Sequence, residues 1–229
     1  MKDELPKRIP EPEFCSPEQT NYFFKSNKNA DMNTVGKFVS EFLAKTCPSF
    51  QGGRVLDLGC GSAALSVCIA LHYPGTKVVA VDGCPLMFGA ATGLVRKLGM
   101  TNRVNVKKAH IPYDDIEEKP HSFDLVFSRS SLHQFRSSMD FWRTAKHYIK
   151  PDGNLFVFDF IRPKTKDEAR EWVGRRTLPS SPKHHRDAYY SSILAGHRPL
   201  EVVSQLKKIG FPGKITIQKT DPIHMVVWK

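Results

Sequence analysis

A ten-residue stretch, Val55-Leu56-Asp57-Leu58-Gly59-Cys60-Gly61-Ser62-Ala63-Ala64, constrains the fold of this chain more than any other part of it. The apolar run Arg54-Val55-Leu56-Asp57-Leu58 breaks into glycines and then into Ala63 to His72, a helical pattern ended by Pro74-Gly75. A buried strand, a glycine turn and a helix in that order open a βαβ unit. A β-branched run, Lys77 to Val81, follows and is closed by Asp82-Gly83. The alternation continues with a helix near Pro85 to Leu98, a strand at about Val104 to Lys108, a polar loop and a strand at Asp124 to Ser128. A helix at about Ser138 to Ile149 comes next, then the turn Lys150-Pro151-Asp152-Gly153 and a fifth strand at Asn154 to Asp159. Strands that alternate with helices of this length pair in parallel through right-handed crossovers. Two closing strands, near Lys214 to Lys219 and His224 to Trp228, are separated only by Thr220-Asp221-Pro222 and must therefore be antiparallel. The expected fold is α/β, a doubly wound and mostly parallel seven-stranded sheet with an antiparallel C-terminal strand pair.

The flanks differ in texture. Residues 1–30 are polar and punctuated by Pro6, Pro10, Pro12 and Pro17, which predicts an irregular arm or lid. Its aromatic cluster Tyr22-Phe23-Phe24 is expected to lie on the core or on a ligand. Met32, Val35, Phe38, Val39, Phe42 and Leu43 recur at helical spacing and predict a first helix over Asn33 to Lys45, which begins a single domain over 31–229. Beyond the fifth strand, Thr165-Lys166-Asp167-Glu168 matches a capping box that opens a short helix. Arg175 to Asp187, with Pro179 and Pro182, reads as a basic loop, so that about 161–198 forms an insertion on the substrate side. A helix at about Pro199 to Ile209 is closed by Gly210.

Composition narrows the setting. Of 229 residues 40% are hydrophobic and 25% charged, which fits a globular chain and excludes fibrous and disordered classes. No apolar run approaches the roughly 18 to 20 residues of a membrane span, and the N-terminus lacks an apolar leader, so a cytoplasmic protein with no membrane partner is expected. Five cysteines without a C-x-x-C pair suggest neither a disulfide framework nor structural zinc. A net charge of +11 favours anionic partners without choosing among nucleic acid, phosphorylated metabolites and carboxylates.

The glycines carry the chemistry. Between a strand and a helix they let backbone approach a ligand at a helix N-terminus. Asp82, ending the second strand, is placed to accept hydrogen bonds from ribose hydroxyls. A nicotinamide oxidoreductase shares this opening, yet Ala64 occupies the third glycine position and Asp57 precedes the loop, where a carboxylate repels a pyrophosphate. The same carboxylate suits an ammonium or sulfonium cation.

At Leu56 to Gly61 the chain resembles the class I, Rossmann-like S-adenosylmethionine-dependent methyltransferases. The resemblance runs from about Val55 to Asp159 and includes Phe123-Asp124-Leu125-Val126, Leu132-His133 and Lys150-Pro151-Asp152-Gly153. It implies S-adenosyl-L-methionine as cofactor. Gly59 and Gly61 would run beside its methionine part, Asp57 would stand near its amino group and Asp82 would hold the ribose. Leu86 or Met87 would flank the adenine, with Ala109-His110-Ile111 along the base, and Cys60, Gly83 and Ser128 would complete the contacts. Many members carry an acid where this chain has His110, with Asp114 and Asp115 later.

Candidates for substrate and catalysis lie at the mouth of the sheet. His133, in Ser128-Arg129-Ser130-Ser131-Leu132-His133-Gln134, is either a general base or a packing and hydrogen-bonding residue beside the cofactor. Arg129, a second catalytic candidate, and Arg162 each leave a strand toward one rim, where a guanidinium can grip a carboxylate or phosphate. Tyr22, Tyr189 and Tyr190 are candidates to close over a substrate. His184-His185 has no carboxylate or cysteine at metal-ligand spacing, so no metal is expected. No cysteine lies beyond Cys84, and no carboxylate cluster follows the fourth strand, which argues against cytosine C5 and metal-dependent catechol chemistry. The leading expectation is metal-independent methyl transfer to a small, acidic metabolite. Two alternatives stay open. One is an RNA or protein methyltransferase using eight basic residues between Arg162 and Arg186 against Asp167, Glu168, Glu171 and Asp187. The other is a non-catalytic, cofactor-binding partner subunit.

Overall fold

The computed structural model describes residues 8, 10, 11, 32–219 and 224–229. Tyr22, Phe23, Phe24 and the link Thr220-Asp221-Pro222 lie outside these. Seven strands form one sheet: β1 Arg54–Leu58, β2 Lys77–Asp82, β3 Val104–Lys108, β4 Phe123–Arg129, β5 Ile149–Phe160, β6 Lys214–Gln218 and β7 His224–Trp228, in the order β3-β2-β1-β4-β5-β7-β6. β1 to β5 are mutually parallel, while β7 runs antiparallel to both β5 and β6. The strand order reverses between β1 and β4, and a sheet of this kind opens a crevice at the carboxyl ends of those strands.

Alternate side chains of each central strand feed two cores, which is why these segments read as continuous apolar runs. Val55, Val78, Ala80, Phe127, Phe156 and Phe158 face one core. Leu56, Leu58, Val79, Val81, Val126, Leu155 and Val157 face the other. The first core is covered by α1 Met32–Phe38, which continues through a π-helical turn Val39–Leu43 to Thr46, together with α2 Ala64–His72 and α3 Pro85–Lys97. The second is covered by α4 Ser138–Tyr148, whose buried Trp142 donates to the Gln205 side chain at 2.8 Å on the last helix.

Two boundaries differ from the sequence expectation. α4 ends at Tyr148, and Lys150-Pro151-Asp152-Gly153 is part of β5 as a bulge: Ile149 stands opposite Phe123, and Asn154 opposite Leu125. Gly153 permits this because a Cβ there would lie 2.9 Å from the Phe123 carbonyl oxygen. The basic loop is mostly helical. α5 Lys166–Arg176 and α6 Lys183–Ala195 leave only a short linker, and α7 Pro199–Lys208 follows. Thr165 accepts the Glu168 N–H at 3.1 Å, the forward half of the cap read from the sequence, while Glu168 reaches past the cap residue to accept the Lys164 N–H at 2.7 Å. Helical spacing then turns the apparent charge cluster into pairs, Arg170 with Asp167 at 2.6 Å, Arg175 with Glu171 at 2.7 Å and Lys183 with Asp187 at 2.5 Å.

Candidate active site

The glycine turn after β1 is shaped by contacts that only small residues allow. Gly59 and Cys60 both donate to the Val81 carbonyl, at 2.9 and 3.0 Å. Gly59 has φ +74°, and a Cβ there would lie 1.8 Å from the Ser131 hydroxyl oxygen. Gly61 donates to Asp82 Oδ2 at 2.8 Å, and Cys84 donates to Asp82 Oδ1 at 2.9 Å. Asp82 thus ties both loops together and keeps one lone pair on each oxygen for a ligand. Burial raises its pKa against the effect of those two N–H groups.

Asp57 sits on β1 at 2% exposure. Burial pushes its pKa up to about 7, while the Ser66 hydroxyl, donating at 2.5 Å from α2, opposes the rise and Asp82 adds to it. A carboxyl poised in this way ionises readily when a cation arrives. Cys60 borders the same space, and burial raises its thiol pKa well above the usual range, so it is a protonated wall rather than a nucleophile.

These groups open into one cavity of about 1240 Å³. A pocket for a single small ligand spans roughly 300–1,000 Å³, so this one has room for a cofactor and an acceptor together. Of the sequence candidates, Asp57, Gly59, Cys60, Gly61, Asp82, Gly83, Met87, His110, Ile111, Arg129, His133 and Tyr189 line it. Gly83 is backed by His110, whose Nδ1 lies 2.6 Å from where a Cβ would stand, so the glycine keeps this edge flat. Met87 is buried against the cavity, whereas Leu86 is 40% exposed and outside its lining.

Three candidates are placed elsewhere. Ser128 does not reach the cavity; its hydroxyl donates to the Leu58 carbonyl at 2.8 Å and ties β4 to β1. Arg162 is buried, paired with Glu201 and bonded to the Gly196 carbonyl at 3.3 Å, so its guanidinium holds α7 to β5 and faces no substrate space. Tyr190 packs on the small cluster of Ala169, Trp172, Val173 and Ile193 away from the lining. Tyr22 lies outside the described residues.

The other half of the cavity sets Arg129 and His133, both candidates from the sequence, beside Arg176 and Glu11, which no sequence signal placed at the site. Arg129 lies over the Phe38 ring at 4.5 Å, and Arg176 of α5 is near enough to lower its pKa further after the larger effect of burial. No carboxylate among the described residues pairs with either guanidinium. His133 is 2% exposed, with Nδ1 2.7 Å from Asp159 Oδ1 and Nε2 3.3 Å from Glu11 Oε2. Burial alone lowers its pKa, but the Asp159 and Glu11 carboxylates outweigh that and lift it to about 9. With a carboxylate facing each ring nitrogen, the doubly protonated imidazolium is the favoured form, and in that form the ring has no lone pair with which to take a substrate proton. Asp159 had a signal of its own, an acid inside the apolar run Leu155 to Phe160, whereas Glu11 had none. Among the described residues no group of three His, Cys, Asp or Glu is arranged for a metal, and no helix is long and apolar enough to cross a membrane.

Comparison with known proteins agrees with this geometry. Residues 55–153 match the family described as methyltransferase domain. The chain is 25% identical over 184 residues to phosphoethanolamine N-methyltransferase 1 of Arabidopsis thaliana, covering 77% of this chain and 35% of that protein. It is 30% identical over 152 residues to a ubiquinone biosynthesis O-methyltransferase of Xanthomonas campestris pv. campestris, covering 64% of this chain and 61% of that protein. The chain thus spans about a third to three fifths of the length of these relatives. Among solved structures, the plantazolicin methyltransferase BpumL in complex with SAH superposes with a TM-score of 0.73 at 14% identity, over 94% of this chain and 90% of that one. A SAM-dependent methyltransferase from Aquifex aeolicus gives 0.59 at 17% identity, over 86% and 97%. Residues 55–153 thus match a methyltransferase domain, and the strand order with its antiparallel β7 and the glycine turn tied to Asp82 give the chain the Rossmann-like fold of the S-adenosylmethionine-dependent methyltransferases that it resembles.

Proposed function

We propose that the chain transfers the methyl group of S-adenosyl-L-methionine to a small molecule that carries an anionic group, without a metal. The observation that supports this most directly is the polarity of this cavity, with the Asp57 and Asp82 carboxylates at the glycine turn and the Arg129 and Arg176 guanidinia elsewhere in the same lining. When bound, the cofactor supplies an already activated methyl group on a sulfonium. The protein's residues then have to hold, orient and exclude water. Asp57 receives the amino group, the Gly59 to Gly61 backbone allows close approach, and Asp82 accepts from the ribose hydroxyls. Arg129 and Arg176 anchor the acceptor's anion, since two like charges without a carboxylate between them gain most from a shared anionic ligand. Cations and aromatics around the acceptor space make a poor donor set for a divalent metal.

The relatives' names, a phosphoethanolamine N-methyltransferase and a ubiquinone biosynthesis O-methyltransferase, point to two probes worth testing, phosphoethanolamine for a nitrogen acceptor and 3,4-dihydroxybenzoate for an oxygen acceptor, each with an anionic group. The RNA-binding alternative loses support because much of the 162–186 charge is paired within the protein. Calorimetry and thermal shift with S-adenosylmethionine, S-adenosylhomocysteine and NAD test the cofactor. A ligand at about a hundred times its Kd adds roughly 2.7 kcal/mol to stability, and stabilisation by NAD alone refutes the reading. Label transfer to phosphoethanolamine or 3,4-dihydroxybenzoate tests the acceptor.

Asp57 makes the cofactor reading pH-dependent. An ammonium bound beside it favours its ionised form, so binding releases a proton from a group whose free-state pKa is about 7. Affinity for S-adenosylhomocysteine is expected to rise roughly tenfold between pH 6 and pH 8 and then level off. Asp57→Asn should flatten the profile and weaken binding at pH 8; an equally steep profile in the variant would rule Asp57 out as its source.

A further inference from the structure

A short N-terminal segment is fastened to the rim of the cavity. Arg8 donates from Nε to the Ala195 carbonyl and from Nη2 to the His133 and Phe135 carbonyls, each at 2.7 Å. These three carbonyls belong to α6 and to the turn after β4, so one guanidinium joins both walls. The same segment delivers Glu11, which is 8% exposed and lines the cavity. Its Oε1 accepts the Ser192 hydroxyl at 2.9 Å. Its Oε2 stands 3.3 Å from His133 Nε2 and accepts no hydrogen bond.

The two carboxylates that share His133 are therefore not equivalent. Asp159 accepts three bonds, from His133 Nδ1 at 2.7 Å and the Phe160 N–H at 2.7 Å on Oδ1 and from the His133 N–H at 3.3 Å on Oδ2. Glu11 Oε2, buried, has only the 3.3 Å ion pair with His133 Nε2 and no well-aligned hydrogen bond, so it keeps lone pairs to offer a ligand's O–H or N–H. His133 itself has no lone pair to offer while both its nitrogens are protonated. The charged groups around Glu11 are His133 and Asp159 from the core and Arg8 from its own segment.

We infer that Glu11 is a catalytic residue, the carboxylate that binds the acceptor's nucleophilic hydroxyl or amine and takes its proton during methyl transfer. The inference rests on the methyltransferase reading above. A lone pair on the acceptor oxygen or nitrogen forms the new bond to the methyl carbon, and the carbon–sulfur bond breaks with its electrons passing to the sulfonium, which becomes a neutral thioether. The acceptor's proton passes to Glu11 Oε2 and leaves to solvent with product release. His133, held charged by Asp159, fixes the carboxylate and does not titrate in the step. Arg8 is a positioning residue, since it places Glu11 without lining the cavity. The acceptor class follows: a small molecule with an O–H or N–H nucleophile at one end and an anion for the arginines at the other.

The test uses the full chain as wild type, Glu11→Gln, Glu11→Asp and Arg8→Ala, with phosphoethanolamine and 3,4-dihydroxybenzoate as probes. S-adenosylhomocysteine affinity, which reports the cofactor half and correct folding, is expected to stay within about twofold in all four. With the probe that wild type methylates, Glu11→Gln should lower kcat by at least about a hundredfold, as expected for loss of a proton acceptor. Glu11→Asp should restore part of that loss, and Arg8→Ala should lower kcat less. A Glu11→Gln kcat within threefold of wild type overturns the inference. So does a wild type that binds S-adenosylhomocysteine but neither binds nor methylates either probe, because the acceptor class is then empty. Failure to bind S-adenosylhomocysteine overturns the methyltransferase reading itself.

Discussion

Asp159→Ala should cost about 3–5 kcal/mol of stability at pH 7, the range for removing one partner of a buried ion pair. The His133 imidazolium is 2% exposed, and Asp159 is its closest carboxylate, at 2.7 Å. Without it, His133 must either keep its charge with only the looser Glu11 contact at 3.3 Å or give up its proton. The variant also strips an acceptor from the Phe160 and His133 N–H groups. The pH dependence has a definite sign. His133 has a folded pKa near 9, raised above its ordinary 6.5, so the stability it contributes is fully present below about pH 6.5 and is lost as pH rises through 9. The gap between wild type and variant in denaturant unfolding should therefore narrow across that window. A difference that is constant from pH 6.5 to 9.5, or smaller than about 1 kcal/mol throughout, would show that His133 is not held as a cation.

Asp82→Ala is expected to weaken S-adenosylhomocysteine binding at least a hundredfold, about 2.7 kcal/mol. The carboxylate has two roles there. It accepts from Gly61 and Cys84, which sets the spacing between the glycine turn and the loop after β2, and its remaining lone pairs face the cavity where ribose hydroxyls are proposed to lie. Removing it leaves two N–H donors short of a partner, for which a stability loss of about 1–3 kcal/mol is expected. Asp82→Asn separates the roles, because an amide oxygen still accepts one N–H while its NH₂ faces one of the donors. Affinity should fall in the order wild type, Asn, Ala by calorimetry. An Asp82→Ala protein that folds and binds within threefold of wild type would remove Asp82 from the cofactor site.

What was readable in advance has a common physical character. The βαβ alternation, the helix start at Thr165 and the antiparallel closing strands follow from periodicities of two and three to four residues and from short connections, which depend on neighbours in the chain. The glycine turn was readable for the same reason, since the positive φ of Gly59 and the close approach of backbone at that bend are local requirements. The Arg175 to Asp187 segment misled because Pro179 and Pro182 suggested a loop throughout, whereas they bound only the linker between α5 and α6, and i,i+4 charge pairs sustain helix on both sides.

The amino-acid sequence by itself determined the sheet, the position of the crevice at the β1–β4 reversal and the two carboxylates beside its glycine turn. Only the tertiary structure decided the opposite end of the cavity, where the acceptor is proposed to bind. Arg162 and Arg129 leave neighbouring strands with the same local pattern, yet Glu201 from a distant helix takes the first, and Arg176 comes to stand near the second. In the sequence His133 reads equally as a base or as a packing and hydrogen-bonding residue, until Asp159 and Glu11, from the fifth strand and the N-terminal segment, close on both its nitrogens. The reason is that charge state and orientation depend on which groups share a few ångströms of buried space, and chain folding brings those groups together from positions that no local periodicity connects.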